Sequence, residues 1–247
     1  MKISRRTSLP ILSTIAALTS FSANAEYEAE RFYAALSVNA ISYDTDEIEK
    51  GFDEISDMAG SFGGDFSASV DNTDAGFKIL AGYQFTENFA FELGYLDAGE
   101  LSVNTDLQLS ASLGNETYSV SSNSVSTLGV TGVVAAAVGN FALTDELNVF
   151  AKVGILSWET ESYYKGRYHS TDEGSETFSE SSTFDGEDII FSLGLSYDIS
   201  DVTIFGEYEV LTLNNDDAQE ELDEDFEEEG GSDALDMTSF NLGFRYA

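Results

Sequence analysis

Apolar and polar residues alternate over long stretches of this sequence, and this period of two constrains the fold more than any other feature. In the clearest stretch, 75–85, Phe77, Ile79 and Phe85 fall on one face and Lys78 falls on the other. Successive strand residues point to opposite sides of a sheet, so the pattern predicts a strand with one apolar face. The same reasoning predicts eight strands, at residues 31–43, 75–85, 89–99, 124–141, 147–159, 188–198, 202–213 and 235–247.

The connections between these strands alternate in length. Tight turns occupy residues 86–88, 144–146 and 199–201. Long polar stretches occupy residues 44–74, 100–123, 160–187 and 214–234. Barrels of the outer membrane place short turns in the periplasm and long loops outside the cell. We therefore predict an all-β fold, an eight-stranded antiparallel up-and-down transmembrane β-barrel with short periplasmic turns, four long extracellular loops and periplasmic termini.

The polar face of the strands indicates which side of the barrel meets lipid. It carries charged residues among Gly and Ser, namely Lys78, Glu92, Lys152, Glu207, Glu209 and Arg245. A soluble barrel that binds apolar ligands would direct its apolar face inward instead. We therefore expect a polar, plugged lumen and an apolar exterior. Near the tight turns the apolar face is aromatic and predicts an interfacial girdle of Phe32, Tyr83, Phe85, Phe89, Phe91, Tyr197, Phe244 and Tyr246.

The first 25 residues resemble an export signal. Three cations precede a short apolar run at 9–18, and small residues end the segment at Ala25. We predict cleavage there, so that residues 1–25 are a signal peptide and 26–247 form the barrel domain. Loss of three cations lowers the formal net charge from −36 to −39. Such a charge argues against nucleic-acid binding. The chain has no Cys, so a disulfide contributes nothing to its stability.

Three segments carry a resemblance to a known family: residues 81–95, 143–154 and 241–246. They are similar to the OmpA-type transmembrane domain, a small eight-stranded barrel of the Gram-negative cell envelope. No peptidoglycan-binding domain follows them, so a tether to the cell wall is not implied. The resemblance implies outer-membrane localisation, contact with outer-membrane lipid and lipopolysaccharide, and recognition of the last strand by the barrel-assembly machinery. Gly243, Phe244 and Tyr246 match that signal, although Ala247 follows the final aromatic residue.

The resemblance also implies a set of paired charges that gates the lumen. Glu92 lies where one glutamate of that set belongs. Ala137, Ser196 and Phe205 align with its lysine, its second glutamate and its arginine.

Inward charges in so acidic a chain need a physical reason. An eight-stranded lumen is narrow enough to be filled by side chains, and buried charges must be paired or hydrated. Arg31 also falls on a predicted inward position. We expect a structural charge network in the lumen, formed by Lys78, Glu92, Lys152, Glu207 and Arg245. In its core Lys152 would pair with Glu92 or Glu207, and the alternative role of these residues is a selectivity filter.

Two features of the loops suggest other functions. His169, followed by Ser170, would be the base of an outer-membrane hydrolase, but its surroundings are rich in Ser and Glu without a defined constellation. The fourth long stretch holds eleven carboxylates, without the glycine-centred spacing of an EF-hand. We expect a self-repelling loop that binds divalent cations only weakly.

The main hypothesis from the sequence is a non-enzymatic barrel with a structural or surface-interaction role, without a catalytic, cofactor or specific metal site. The alternatives are a narrow, cation-preferring, porin-like channel and a hydrolase that uses His169.

Overall fold

The computed structural model describes residues 31–113, 116–172, 174–214 and 234–246. Its elements are β1 (Phe32–Tyr43), α1 (Asp46–Ser61), β2 (Asp65–Asp71), β3 (Thr73–Thr86), β4 (Phe89–Leu113), β5 (Glu116–Ala142), β6 (Leu147–Ser170), β7 (Gly174–Ile199), β8 (Val202–Asn214) and β9 (Ala234–Tyr246). None of the described helices is long and apolar enough to cross a membrane. The predicted signal peptide and most of the fourth long loop lie outside the described residues, and both stay predictions.

Eight of the nine described strands close a ring of antiparallel pairs. The order is β1, β3, β4, β5, β6, β7, β8 and β9, and β9 pairs again with β1. The remaining strand, β2, pairs with β4 beyond the end of the β3–β4 ladder that is farther from the tight turns, from Asp71↔Ser102 to Asp65↔Gln108. Only Asn72 separates β2 from β3 along the chain. Strand β2 therefore continues the position of β3 in the ring and does not add a ninth strand to it. The predicted eight-stranded antiparallel barrel is confirmed.

The predicted alternation of faces is also confirmed. In β3, Ile79 is 52% exposed on the outside, whereas Lys78 and Leu80 are 3% and 4% exposed on the inside. Because the side-chain period is two, one residue of slippage would exchange every inner and outer position. The predicted girdle residues point outward near the short turns, where Tyr83 contacts both Phe32 and Phe85 with ring centroids 4.7 and 4.9 Å apart.

The long connections are more ordered than the sequence suggested. The ladder of β4 and β5 continues to Leu113↔Glu116, and that of β6 and β7 continues to Ser170↔Gly174. The predicted loops at 100–123 and 160–187 are therefore largely strands. Their polar composition resembles that of a loop, but a hairpin with water on both sides needs no apolar face once its backbone hydrogen bonds are made.

The predicted loop at 44–74 contains α1 and β2. Asp46, Glu47 and Glu49 lie in the first turn of α1, where negative charge is favourable. The helix packs on β2 through Phe52 and Phe66, whose ring centroids are 5.9 Å apart. The β-strand pattern was missed here because β2 is short and follows the helix after only three residues.

Candidate functional site

Strands on opposite sides of the barrel supply the charged side chains of the lumen. Lys78 lies on β3, Glu92 on β4, Lys152 on β6, and Glu207 and Glu209 on β8. All five are inward by the alternation of each strand. Their side chains are at most 9% exposed, so the structure brings them together in one buried layer across the barrel.

Two lysines hold three carboxylates in this layer. Lys152 Nζ lies 2.7 Å from Glu92 Oε2 and 2.9 Å from Glu207 Oε2. Lys78 Nζ lies 2.5 Å from Glu209 Oε2. Burial of an unpaired charge is costly, whereas a paired and hydrogen-bonded charge is tolerated. Lys152 thus contacts both of its expected partners.

Two residues outside the predicted network complete it. Glu209 was on the predicted inner face, but the sequence assigned it no partner. Tyr33 donates a hydrogen bond from its hydroxyl to Glu92 Oε1 at 2.8 Å. The inward position of Tyr33 on β1 was the available signal for its role. The Tyr33 ring lies against Gly82, where a Cβ atom would overlap the ring. The glycine therefore lets the tyrosine lie along the wall and reach Glu92.

Arg245 lies apart from these ion pairs. Its guanidinium group is 4.9 Å from the centre of the Tyr33 ring, a cation–π arrangement. No carboxylate of the described residues forms a salt bridge with it. Arg31 precedes β1 and is exposed, so it lies outside the strand on which its inward position was predicted. Its strand begins one residue later than the sequence pattern suggested.

Apolar side chains fill the lumen on both sides of the charged layer. Toward the short turns, Phe150 and Phe205 flank Lys152 with their ring centres 5.2 and 5.7 Å from Nζ. The remaining buried residues of this lower cluster are Tyr33, Ala35, Leu80, Ala90 and Val138.

Toward the long hairpins, Leu156 and Trp158 belong to a larger upper cluster, and neither is more than 3% exposed. Its other members include Ile41, Tyr43, Leu96, Leu101, Val130, Val134, Ile190, Leu211, Leu213 and Met237. The lumen is therefore polar in its charged layer and apolar on both sides of it, which corrects the expectation of a polar lumen. In so narrow a barrel side chains replace water, and apolar side chains can then face inward.

A polar cluster holds the outer end of this apolar layer. Trp158 donates from Nε1 to Asp188 Oδ2 at 2.8 Å. Asn214 donates to the same carboxylate from its backbone N–H at 2.9 Å and from its side chain at 2.6 Å. Asp188 thereby joins β6, β7 and the end of β8 at the outer mouth of the lumen.

The comparison with the gating set of the family needs one correction. Ser196 and Phe205 are buried and inward, but Ala137 is exposed on the outer face. The alignment that gave Ala137 the position of an inward lysine therefore does not agree with the facing of β5. The cations near this level are Lys78 and Lys152, on β3 and β6.

His169 lies on the outward face near the tip of the β6–β7 hairpin, far from the lumen. It is exposed, and its Nδ1 is 2.9 Å from Ser175 Oγ. Among the described residues, no carboxylate forms a hydrogen bond with the His169 ring. The described part of the chain also contains no group of three His, Cys, Asp or Glu side chains arranged to hold a metal ion.

Comparisons with known proteins give one family match and several similar solved structures. The family model for the OmpA-like transmembrane domain matches residues 28–246. Among solved structures, OprG from Pseudomonas aeruginosa is 12% identical, with 87% of this chain and 95% of that chain covered and a TM-score of 0.40. Neisserial surface protein A is 12% identical, with 87% and 96% covered and a TM-score of 0.36.

The outer-membrane protease OmpT from Escherichia coli is 9% identical, with 87% and 96% covered and a TM-score of 0.33. No curated protein sequence matches the chain. The family match spans nearly all of the chain, including every barrel strand. The chain therefore belongs to the OmpA-like transmembrane domain family and is a protein of the cell outer membrane.

Proposed function

We propose that this protein is a non-enzymatic barrel that does not conduct ions and that displays its long hairpins for surface interactions. The filled lumen is the observation that carries this proposal. Three cavities between described side chains of the lumen are each about 10 Å³, which is about the room that one water molecule needs. Such packing leaves no continuous channel wide enough for a hydrated ion.

The distribution of lumen charge also supports a structural role. In the buried charged layer the carboxylates of Glu92, Glu207 and Glu209 are all paired with Lys78 or Lys152, although the chain as a whole is strongly acidic. Paired charges stabilise a closed lumen, whereas a cation-selective filter would present carboxylates to passing ions. The upper apolar cluster adds a dewetted layer that a cation would also have to cross.

The exterior supports the remaining parts of the proposal. Its apolar belt would contact outer-membrane lipid and lipopolysaccharide. In the closing strand β9, Phe244 and Tyr246 are 49% and 59% exposed on the outward face. That arrangement leaves them accessible to the barrel-assembly machinery before β9 pairs with β1. Weak divalent-cation binding by the acidic segment between β8 and β9 remains a prediction outside the described residues.

Conductance measurements test the closed lumen. Purified protein, refolded and inserted into planar bilayers, is expected to give no stable current steps at 1 M KCl, because the ion pairs and both apolar clusters block the axis. Heat-modifiable mobility on gels would verify folding of the same sample. Reproducible, cation-selective steps from folded protein would contradict the proposal and favour the channel alternative.

Activity assays test the absence of an enzyme. The folded protein in lipid vesicles is expected to hydrolyse neither fluorogenic peptides nor phospholipid analogues faster than protein-free vesicles. His169→Ala and Ser175→Ala are therefore expected to match the wild-type protein. Hydrolysis that both substitutions abolish would establish the hydrolase alternative, since their side chains are in contact.

A further inference from the structure

Strand β7 is paired unequally along its two edges. Its pairing with β6 runs along almost its whole length, from Leu147↔Tyr197 to Ser170↔Gly174. Its pairing with β8 ends at Ile190↔Leu211, just before β8 itself ends. Among the described residues, positions 174–187 of β7 therefore have a strand partner on one side only. We call this segment the open edge.

The hydrogen-bonding direction of the open edge follows from the ladder. The N–H of Asp198 donates to the carbonyl oxygen of Glu146 at 2.8 Å, on the β6 side of β7. Backbone groups of successive strand residues alternate between the two edges. The β6–β7 register is uninterrupted, so the even-numbered residues of β7 bond to β6. The odd-numbered residues from Ser175 to Glu187 consequently direct their N–H and C=O groups away from the barrel sheet.

The side chains of the open edge are acidic, small or aromatic. The segment contains Glu176, Glu180, Asp185 and Glu187 and no Lys or Arg. Exposed sheet edges are usually protected by Lys or Pro, by short length or by a covering element. Among the described residues no element covers this edge, which is long and lacks Pro and Lys, and its four negative charges provide the protection. Such protection acts against acidic strands, including a second copy of this chain, but favours a basic one.

Phe178 and Phe184 give the inner face of the open edge a preformed apolar surface. Their side chains are 39% and 38% exposed. The ring of Phe178 lies against Gly166, where a Cβ atom would overlap it, and its centre is 5.5 Å from that of Tyr164. These contacts position the phenylalanine between Glu176 and Glu180 on the same face. In a strand of alternating cationic and apolar residues the apolar side chains share one face and can cover Phe178 and Phe184, while the cationic side chains lie on the other face, which carries Asp185 and Glu187.

We propose that the open edge binds an extended, cationic segment of a partner protein by β-strand addition. The backbone groups of the odd-numbered residues would supply the hydrogen bonds, and the carboxylates would select a basic partner. The proposal rests on the surface-interaction part of the proposed function. It is independent of lumen closure, so a conductance result leaves it unaffected.

Peptide binding tests the proposal on the full-length folded barrel in detergent micelles. The probe is a labelled ten-residue peptide of alternating lysine and valine, measured by fluorescence anisotropy. It is expected to bind at least tenfold more tightly than a peptide of alternating lysine and proline. Both peptides carry the same charge, but proline has no N–H and does not form a ladder. A peptide of alternating glutamate and valine is expected not to bind.

Two variants separate strand addition from charge attraction. Ser179→Pro combined with Ser181→Pro removes two N–H groups from the open edge and leaves the β6–β7 ladder intact. Proline is tolerated where the N–H of an edge strand faces solvent. The matched control, Ser179→Ala with Ser181→Ala, loses the same hydroxyl groups but keeps both N–H groups. The proline variant is expected to bind the lysine–valine peptide at least tenfold more weakly than the alanine control.

The outcomes that overturn the proposal are distinct. Equal binding of the lysine–valine and lysine–proline peptides would show that charge alone attracts them. Equal binding by the proline and alanine variants, with heat-modifiable mobility unchanged in both, would show that the open edge is not the site. Edge-to-edge dimers of the wild-type protein in light-scattering measurements would identify a second copy as the occupant instead.

Discussion

Replacement of Lys152 by methionine is expected to destabilise the folded barrel by about 3 to 5 kcal/mol, the usual cost when one partner of a buried ion pair is removed. Methionine has a similar length and keeps the packing against Phe150 and Phe205, so the change isolates the charge. Lys152 is the only cation within salt-bridge distance of Glu92 and Glu207 among the described residues. Without it both carboxylates remain buried and lack their ion-pair partner.

The free energy of unfolding is measured by urea titration of the barrel in lipid vesicles, followed through its fluorescence and its mobility on unheated gels. The control is a triple variant that combines Lys152→Met with Glu92→Gln and Glu207→Gln. This variant removes all three charges of the Lys152 ion pairs and leaves Lys78 and Glu209 in place, so that neither Glu92 nor Glu207 is left as a buried charge without a partner. It is therefore expected to regain most of the lost stability. If the single and triple variants were equally unstable, packing around Lys152 would matter and its charge would not.

The facing of the residues could be predicted because strand geometry offers only two choices at each position. Once the apolar face was assigned to lipid, parity alone placed Lys78, Glu92, Lys152 and Glu207 inside. The partner of Lys78 could not be found in this way. Its carboxylate, on Glu209, lies across the barrel on β8, and the level at which two distant strands meet depends on the stagger of the closed sheet. That stagger is a property of all eight pairings together.

The lengths of the hairpins could not be predicted from polarity. The residues beyond Glu100 and Glu159 continue their strands without a lipid-facing apolar stripe. Most residues on both faces there are polar, and their composition resembles that of a loop. The neighbouring strand supplies the missing information, because β4, β5, β6 and β7 extend together and satisfy one another's backbone groups.

The apolar layers of the lumen had a visible signal. In β5, Val130, Val134 and Val138 lie on the face opposite to Val133, so this strand is apolar on both sides. A sequence pattern with two apolar faces indicates burial on both sides. In a lipid-embedded barrel it indicates a lumen filled with side chains, and this observation links strand composition directly to the proposed lack of conductance.

Substitution of Val153 by arginine is expected to destabilise the barrel by about 2 to 4 kcal/mol or to prevent its assembly, because the side chain would enter the lipid near mid-strand. Val153 is 49% exposed on the outward face, and its cross-strand partners on β5 and β7 are Ala137 and Phe191. Neither neighbour offers a charge or a hydrogen-bond acceptor to the guanidinium group. Urea titration in vesicles measures the loss, and the fraction of heat-modifiable protein measures assembly.

Two controls separate the effect of lipid from that of the arginine itself. Asn148→Arg places the same side chain inside the barrel near the short turns. The Asn148 amide donates to Asp198 Oδ2 at 2.9 Å, so an arginine there gains an acidic partner. Ser157→Arg keeps the outward face but lies four residues further along β6, opposite Glu187, where the cost of a charge falls to roughly 0 to 1 kcal/mol near the interface. The expected order of destabilisation places Val153→Arg well above both controls. A comparable loss of stability for Ser157→Arg would mean that the hydrocarbon layer reaches past the apolar belt. A comparable loss for Asn148→Arg would mean that the two faces of β6 do not lie in different environments, contrary to their alternating exposure.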